Sequence, residues 1–148
     1  MNPFVLPISS LMQHWKDLRN NLKNLDEQAQ LKEVVQFWSF APLKSYAHDP
    51  EALDTYGSPW EMMHENDWCQ NSIAVGMEFT LRLGGWEPER LKIAYVRDHD
   101  VSIMQLVVIV DDTYWLNYDY REVSLQPNTK YDILDTWQYI GKGYKTIQ

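Results

Sequence analysis

Residues 68–85 read WCQNSIAVGMEFTLRLGG, and this stretch predicts the central helix of the protein. Its apolar side chains recur at steps of four, as they do on one face of a helix: Cys69, Ile73, Met77 and Leu81. The pair Gly84-Gly85 ends the pattern, because glycine readily adopts the backbone conformation that closes a helix. We therefore expect the single cysteine of the chain at the start of this helix, where the helix dipole favours a thiolate.

Helices are predicted before this stretch and strands after it. The first helix follows a possible cap at Ser9 or Ser10, and its apolar side chains recur at alternating steps of four and three: Leu11, Trp15, Leu18, Leu22 and Leu25. A second helix begins near Asp26. Strands are predicted over 91–97, 103–110 and 114–120, residues 131–140 fit either a strand or a short helix, and 141–145 read as a flexible basic tail. This order predicts an α+β fold, with the cysteine-bearing helix packed on an antiparallel sheet.

Length and composition limit the class of protein. A chain of 148 residues with 45% hydrophobic residues predicts one domain, 1–148, with a real core. Its net charge of −8 disfavours binding to nucleic acid and to anionic lipid. No apolar run is long enough for a membrane span, and the N-terminal residues read poorly as a signal peptide. We expect a cytoplasmic or virion protein without a cofactor.

The predicted position of Cys69 suggests a particular kind of chemistry. A thiol at a helix N-terminus, followed by two strands, is the layout of a papain-like site. The helix supplies the nucleophile, the first strand a histidine that removes its proton, and the next strand an Asp or Asn that orients the histidine. The alternative is that Cys69 is a small buried apolar side chain, and spacing alone favours this alternative.

Three segments carry a resemblance to a known family. Residues 54–61 read DTYGSPWE; residues 83–98 contain LGGW, RL and YVRD; and residues 115–123 begin WLN and end EV. In this order and spacing, over about half of the chain, the sequence resembles the bacterial transglutaminase-like cysteine proteinases, a papain-like family of bacteria and phages. The resemblance implies a papain/transglutaminase-like fold.

The resemblance also implies where the catalytic residues should lie, and there the chain departs from the family. The family motif D-C-E-D reads Trp68-Cys69-Gln70-Asn71, the histidine position holds Gln105, and the aspartate position holds Asn117. A glutamine has no titratable nitrogen and cannot take the proton of the thiol. The family's acidic residues also resemble a calcium site, and their replacement by amides removes the charge that calcium needs, so we expect no metal.

Another histidine could in principle replace the missing base. His99 lies six residues before Gln105 in a predicted turn and is the best candidate, and His64 is the second. Asp119 could orient such a base if the last strand were shifted by two residues. For every histidine, including His14 and His48, a solvated surface position is the more common explanation.

The sequence thus predicts a non-catalytic member of this fold. It would act as a binding or structural module, in a phage particle or as a phage-encoded factor, with another protein, such as a virion protein, as its partner. The alternative is an active cysteine peptidase or amidase that uses Cys69 with His99 or His64. A third possibility is an inhibitor that holds a peptide in the inactive cleft.

Overall fold

The computed structural model describes residues 2–43, 49–66, 68–100, 103–119, 121–128 and 130–147. Helices come first in the chain and strands follow, and the Cys69-bearing helix packs on an antiparallel sheet. The predicted α+β class is confirmed. The helices are α1 (Ile8–Asn21), α2 (Glu27–Trp38), α3 (Pro59–Glu65) and α4 (Gln70–Leu83). Short 3-10 turns lie at Pro3–Val5, Leu22–Asn24, Leu53–Thr55 and Pro88–Arg90.

Local side chains determine where α2 and α3 begin, whereas the predicted start of α1 is wrong. The expected serine cap of α1 is wrong, because the helix begins at Ile8 after Pro7 and both serines lie in its first turn. The second helix begins near Asp26 as predicted, and Asp26 caps it, since its carboxylate accepts a hydrogen bond from the Ala29 N–H. The short helix α3, which the sequence did not reveal, begins with a reciprocal capping box between Ser58 and Glu61.

The strands form one six-stranded sheet in the order β4-β3-β2-β1-β5-β6, with every pair antiparallel. Their bounds are β1 (Leu91–Asp98), β2 (Ile103–Val110), β3 (Tyr114–Leu116), β4 (Ser124–Leu125), β5 (Tyr131–Tyr139) and β6 (Tyr144–Ile147). Of the stretch 131–140, which fitted either a strand or a short helix, Tyr131–Tyr139 form a strand. It ends β3 at Leu116, earlier than predicted, because Asn117 turns the chain with a φ of 68°.

The main core lies between the helices and one face of the sheet. At its centre, the indole N–H groups of Trp15 and Trp38 both donate to the Thr80 hydroxyl oxygen at 2.9 Å, and that hydroxyl donates to the Gly76 carbonyl. A Cβ on Gly76 would fall 2.7 Å from the Trp38 ring, so this glycine allows the close approach of α2 to α4. The cluster joins α1 and α2 to α4.

The opposite face of the sheet carries a second, smaller core. Buried residues of β1 and β2 form its base: Ala94, Val96, Val107 and Ile109. Aromatic side chains from the segments after β2 cover them: Trp115, Tyr118 and Tyr131. The Trp115 ring contacts the rings of Tyr118 and Tyr131. The Tyr118 hydroxyl also donates to the buried carboxylate of Asp98. The segment after β3 is therefore held against the sheet.

The C-terminal segment is an ordered strand, and the expectation of a flexible tail is wrong. β6 pairs with β5, and the Tyr144 hydroxyl donates to the buried Glu78 carboxylate at 2.8 Å. The same carboxylate accepts two hydrogen bonds from Arg82 on the next turn of α4. The Tyr144 N–H also donates to Asp54, so β6 is fixed both to α4 and to the segment before α3.

Among the residues described, no helix combines the length and the apolar character needed to cross a bilayer.

Candidate functional site

Cys69 is the N-cap residue of α4, as the sequence predicted. Its Sγ accepts a hydrogen bond from the Ser72 N–H at 3.4 Å and lies 3.0 Å from the Ser72 hydroxyl oxygen. The sulfur thus does the work of a capping oxygen, since it satisfies one of the free N–H groups of the first turn. The residue is fully buried, with an exposed fraction of 0%. A reagent or substrate therefore cannot reach the thiol without a movement of the protein.

Gln105 on β2 faces the residue that follows the cysteine. Its side-chain oxygen accepts a hydrogen bond from Gln70 Nε2 at 3.4 Å, and its own Nε2 donates to the Tyr118 carbonyl at 3.4 Å. Gln70 Nε2 also donates to the Asn117 carbonyl at 3.2 Å. The two glutamine amides therefore bind each other and the loop after β3. Gln105 and Asn117 thus both contact Gln70, the first residue of α4.

Two asparagine side chains take the place of a strand beside β2. β3 pairs with β2 only as far as Val108. The N–H and carbonyl of Leu106 point away from β1, and no strand lies on that side to bind them. The Leu106 N–H donates to Asn71 Oδ1 at 3.3 Å, and its carbonyl accepts from Asn117 Nδ2 at 2.9 Å. Asn117 Nδ2 also donates to the Gln70 carbonyl at 3.0 Å. Each amide thus satisfies backbone groups that would otherwise be buried without partners.

Trp68, for which the resemblance implied an aspartate in the family, belongs to the core. It is 1% exposed, and its ring makes edge contacts with the rings of Phe4 and Trp38. Its indole N–H donates to Asn66, which ends α3 with a left-handed backbone. An ionised carboxylate could not take this place without a large desolvation cost.

Tyr56 is a neighbour of the site that the sequence reading did not single out. Burial raises the pKa of Tyr56, and the nearby Cys69 raises it further, while a hydrogen bond with Asn71 lowers it. The Tyr56 hydroxyl also donates to the Asp49 carbonyl at 2.8 Å. Tyr56 lies within the segment 54–61 that carried the family resemblance, so that segment was the available signal. The tyrosine remains neutral at physiological pH and serves as a hydrogen-bonding group.

The histidines occupy other surroundings. His99 Nε2 lies 2.8 Å from the carboxylate of Asp132 on β5, which is on the opposite side of β1 from β2 and Gln105. His64 and His14 are exposed on α3 and α1, and His48 lies outside the described residues. The alternative orienting acid, Asp119, is exposed and accepts a hydrogen bond from the Ser124 hydroxyl at 2.8 Å. The His99 ring is therefore engaged in a hydrogen bond with Asp132, and its role as a replacement base stays a prediction.

A cavity of about 170 Å³ opens beside the amide groups. One wall is apolar and comes from α2 and α4, and the other is formed by the amides and the loop after β3. Its main lining residues are Val35, Trp38, Ile73, Met77, Gln70, Gln105, Asn117 and Asp119. Cys69 is not among the described residues that line this cavity, so the cavity lies beside the thiol and not over it.

The arrangement is suited to holding a fixed shape. The amides of Gln70, Gln105 and Asn117 donate and accept within the group or with backbone carbonyls, and none of them can take up a proton at physiological pH. In the part of the chain that the structure describes, no group of three or more His, Cys, Asp or Glu side chains could hold a metal ion. Chemically, the site can bind and orient polar groups by hydrogen bonds.

Comparison with known proteins identifies the fold. No protein-family model and no curated protein matches the sequence. Among solved structures, LapG of Legionella pneumophila is similar, with a TM-score of 0.67 and 20% identity over 88% of this chain and 77% of LapG. The calcium-bound form of LapG has a TM-score of 0.68 and 18% identity, over 90% of this chain and 76% of that one. The chain therefore has the transglutaminase-like α+β fold that is seen in LapG.

Proposed function

We propose that the protein is a non-catalytic binding or structural module built on the transglutaminase-like fold, a degenerate relative of the bacterial cysteine proteinases that its sequence resembles. The observation that carries the proposal is the position and the hydrogen bonding of the Gln105 side chain. Its side chain stands at the family's histidine position and is hydrogen-bonded to Gln70 and to the Tyr118 carbonyl. An amide in this place cannot accept the proton of a thiol, so acyl transfer by Cys69 has no base.

The surroundings of Cys69 support the same proposal. The sulfur is buried and engaged as a helix cap, and Trp68 beside it is part of the core. Both roles are structural, since each stabilises the start of α4. A nucleophile needs to be accessible and partly ionised, whereas a capping thiol needs only to stay in place.

The partner in this proposal is another protein. The net charge of −8 disfavours nucleic acid, and the amide groups together with the adjacent cavity offer hydrogen bonds and apolar contact, which suit a protein segment. A place in a phage particle, as implied by the family resemblance, belongs to the proposal as well. Mass spectrometry of purified particles from a phage that encodes the protein would test that location.

Thiol labelling tests the proposal directly. We expect iodoacetamide at neutral pH to alkylate Cys69 in the folded protein much more slowly than in the urea-unfolded protein, because the sulfur is buried. We also expect no cleavage of fluorescent casein, with the Cys69→Ala variant as the matched blank. Alkylation faster in the folded protein, or cleavage that disappears in Cys69→Ala, would overturn the proposal.

The active-enzyme alternative makes a different prediction. It requires an imidazole at Cys69, and His99 could serve only if it left Asp132. Under that alternative, His99→Gln would slow alkylation of Cys69, and so would His64→Gln if His64 were the base. Under our proposal, neither variant changes the alkylation rate by more than about twofold, because neither ring acts on the sulfur.

A further inference from the structure

A group of basic side chains on one side of α1 stands beside an exposed aromatic ring of α3. Lys16, Arg19 and Lys23 follow each other at steps of three and four, so they lie along one stripe of the first helix and its 3-10 extension. The Arg19 guanidinium lies 4.2 Å from the Trp15 ring centre and 5.5 Å from that of Trp60. We call these three basic residues and Trp60 the basic-aromatic surface.

Arg19 differs from Arg82, Arg90 and Arg97 in its hydrogen bonding. Its Nε is buried and has no hydrogen-bond partner, and burial lowers the pKa of its guanidinium. Arg82, Arg90 and Arg97 are each hydrogen-bonded to a carboxylate, at distances between 2.6 and 3.1 Å. Among the described residues, Arg19 has aromatic contacts but no carboxylate.

No acidic side chain lies at helical contact spacing from Arg19. The helical neighbours that could contact it at three or four positions are Trp15, Lys16, Leu22 and Lys23, and none of these is acidic. Like charges at this spacing disfavour a helix slightly, so the stripe does not contribute to the stability of α1. The chain has 21 acidic and 13 basic residues, yet within its described part no ion pair involves this stripe.

Apolar groups continue the surface. Trp60 is 40% exposed and makes an edge contact with Phe79 on α4, and Leu83, one turn further along α4, is 42% exposed. Leu22 packs against Gly84 at the end of α4, which brings the basic stripe close to Leu83. A cationic strip and an apolar strip therefore run side by side across α1, α3 and α4.

We propose that the basic-aromatic surface binds an acidic segment of a partner protein that also carries an aromatic or aliphatic side chain. This inference rests on the proposed binding function and assigns it a surface. Partner carboxylates would pair with Arg19, Lys16 and Lys23, and the apolar side chain would pack on Trp60. Exposed tryptophan and arginine are the residue types that most often dominate interface energies, and complementary charge favours encounter with an acidic partner.

A protein segment suits this surface better than a nucleic acid, which is also anionic. The stripe holds three positive charges, whereas the molecule as a whole carries −8, so a long polyanion would be repelled outside the stripe. A short acidic segment would experience mainly the local positive field, because charges beyond about 10 Å are screened at moderate salt.

The test uses the full chain and a fluorescein-labelled heptapeptide of Glu and Asp with a central Phe, followed by fluorescence anisotropy. We expect saturable binding that Lys16→Glu combined with Lys23→Glu weakens about tenfold or more, since two attractions become repulsions. Both lysines are exposed, so this variant should fold. We expect Arg19→Gln and Trp60→Ala to weaken binding about fivefold each, with circular dichroism to confirm that each is folded.

Matched controls decide the outcome. Lys32→Glu combined with Lys130→Glu makes the same change of net charge at exposed positions outside the stripe, and it should change binding by less than about twofold. Equal weakening by the two double variants would overturn the proposal, as would equal binding of a Lys-for-acid peptide or tighter binding of a single-stranded oligonucleotide. Self-association of the wild type that the stripe variant abolishes would assign the surface to a second copy. None of these failures affects the thiol labelling and casein measurements, which test the absence of catalysis separately.

Discussion

The side-chain amide of Asn117 donates a hydrogen bond to the backbone carbonyl of Gln70 at 3.0 Å. The same nitrogen donates to the Leu106 carbonyl at 2.9 Å, so one amide joins the loop after β3, the first turn of α4 and the middle of β2. The position where the family has an acid thus needs a donor in this chain. A carboxylate there would face two carbonyl oxygens.

We therefore expect Asn117→Asp to lower the free energy of unfolding by about 1–3 kcal/mol at neutral pH, because it leaves two carbonyls without a donor. Aspartate tolerates the left-handed backbone at this position nearly as well as asparagine, so the change isolates the lost hydrogen bonds. Urea unfolding would measure it, with Asn21→Asp, at an exposed position, as the matched control. A variant as stable as the wild type would show that the amide group does not support the site.

Thr80 should be a sensitive position of the core, since its hydroxyl oxygen accepts from two indole groups. We expect Thr80→Val, which keeps the shape but removes the acceptor, to cost about 2–4 kcal/mol, because two buried N–H groups lose their partner. Thr80→Ser keeps the oxygen and loses one methyl group, so its cost should be only about 1 kcal/mol. The opposite ranking of the two variants in urea unfolding would refute this account.

The partly buried Tyr144 should make the stability of the protein fall at alkaline pH. Burial and the neighbouring Glu78 raise the pKa of Tyr144 well above its usual value. The folded state then keeps the proton while the unfolded chain releases it, so the stabilisation is complete below about pH 10 and is lost as the pH rises further. We expect the free energy of unfolding to fall above about pH 10, and more shallowly in Tyr144→Phe. An unchanged slope in that variant would contradict the assignment.

Calcium should have no effect on this protein. Gln70 and Asn71 carry amides where the resemblance implies acids. The Gln70 amide nitrogen already donates to the Gln105 side chain and to the Asn117 carbonyl. Calcium favours charged oxygen ligands, which this arrangement does not provide. We expect the same melting temperature in millimolar calcium and in excess EGTA, with magnesium as the control for ionic strength. A rise of several degrees that is specific to calcium would disprove the expectation.

The central helix and the first two strands were predictable, because a single strong periodicity decides each of them. The apolar steps from Cys69 to Leu81 and the glycine pair after them gave α4 and its ends, and the apolar run 103–110 gave β2. These patterns depend only on which face is buried. In these elements the local residue pattern and the packing of the core favour the same structure, so the sequence alone predicts it.

Other elements depend on partners that are distant in the sequence. β6 is short, and it is a strand because β5 and the buried Glu78 hold it, neither of which a local pattern in 141–145 can show. β3 stops at Leu116 because Asn117 adopts a left-handed backbone and turns its amide toward Gln70. The family pattern predicted that positions 69, 105 and 117 lie together, whereas the hydrogen bonds of Gln105 and Asn117 are made to Gln70. Their hydrogen bonds could not be predicted, since these depend on side-chain orientation.

The hydrogen bonds that Asn71 and Asn117 make to Leu106 affect whether the backbone of a second copy could pair with β2. An unpaired strand margin invites the backbone of another chain to add to the sheet and begin aggregation. Here both polar backbone atoms of Leu106 are already taken by Asn71 and Asn117, so an incoming strand would find neither a donor nor an acceptor at that point. Asn71 and Asn117 thus leave Leu106 with no unbonded backbone group at the point where the pairing of β2 with β3 ends.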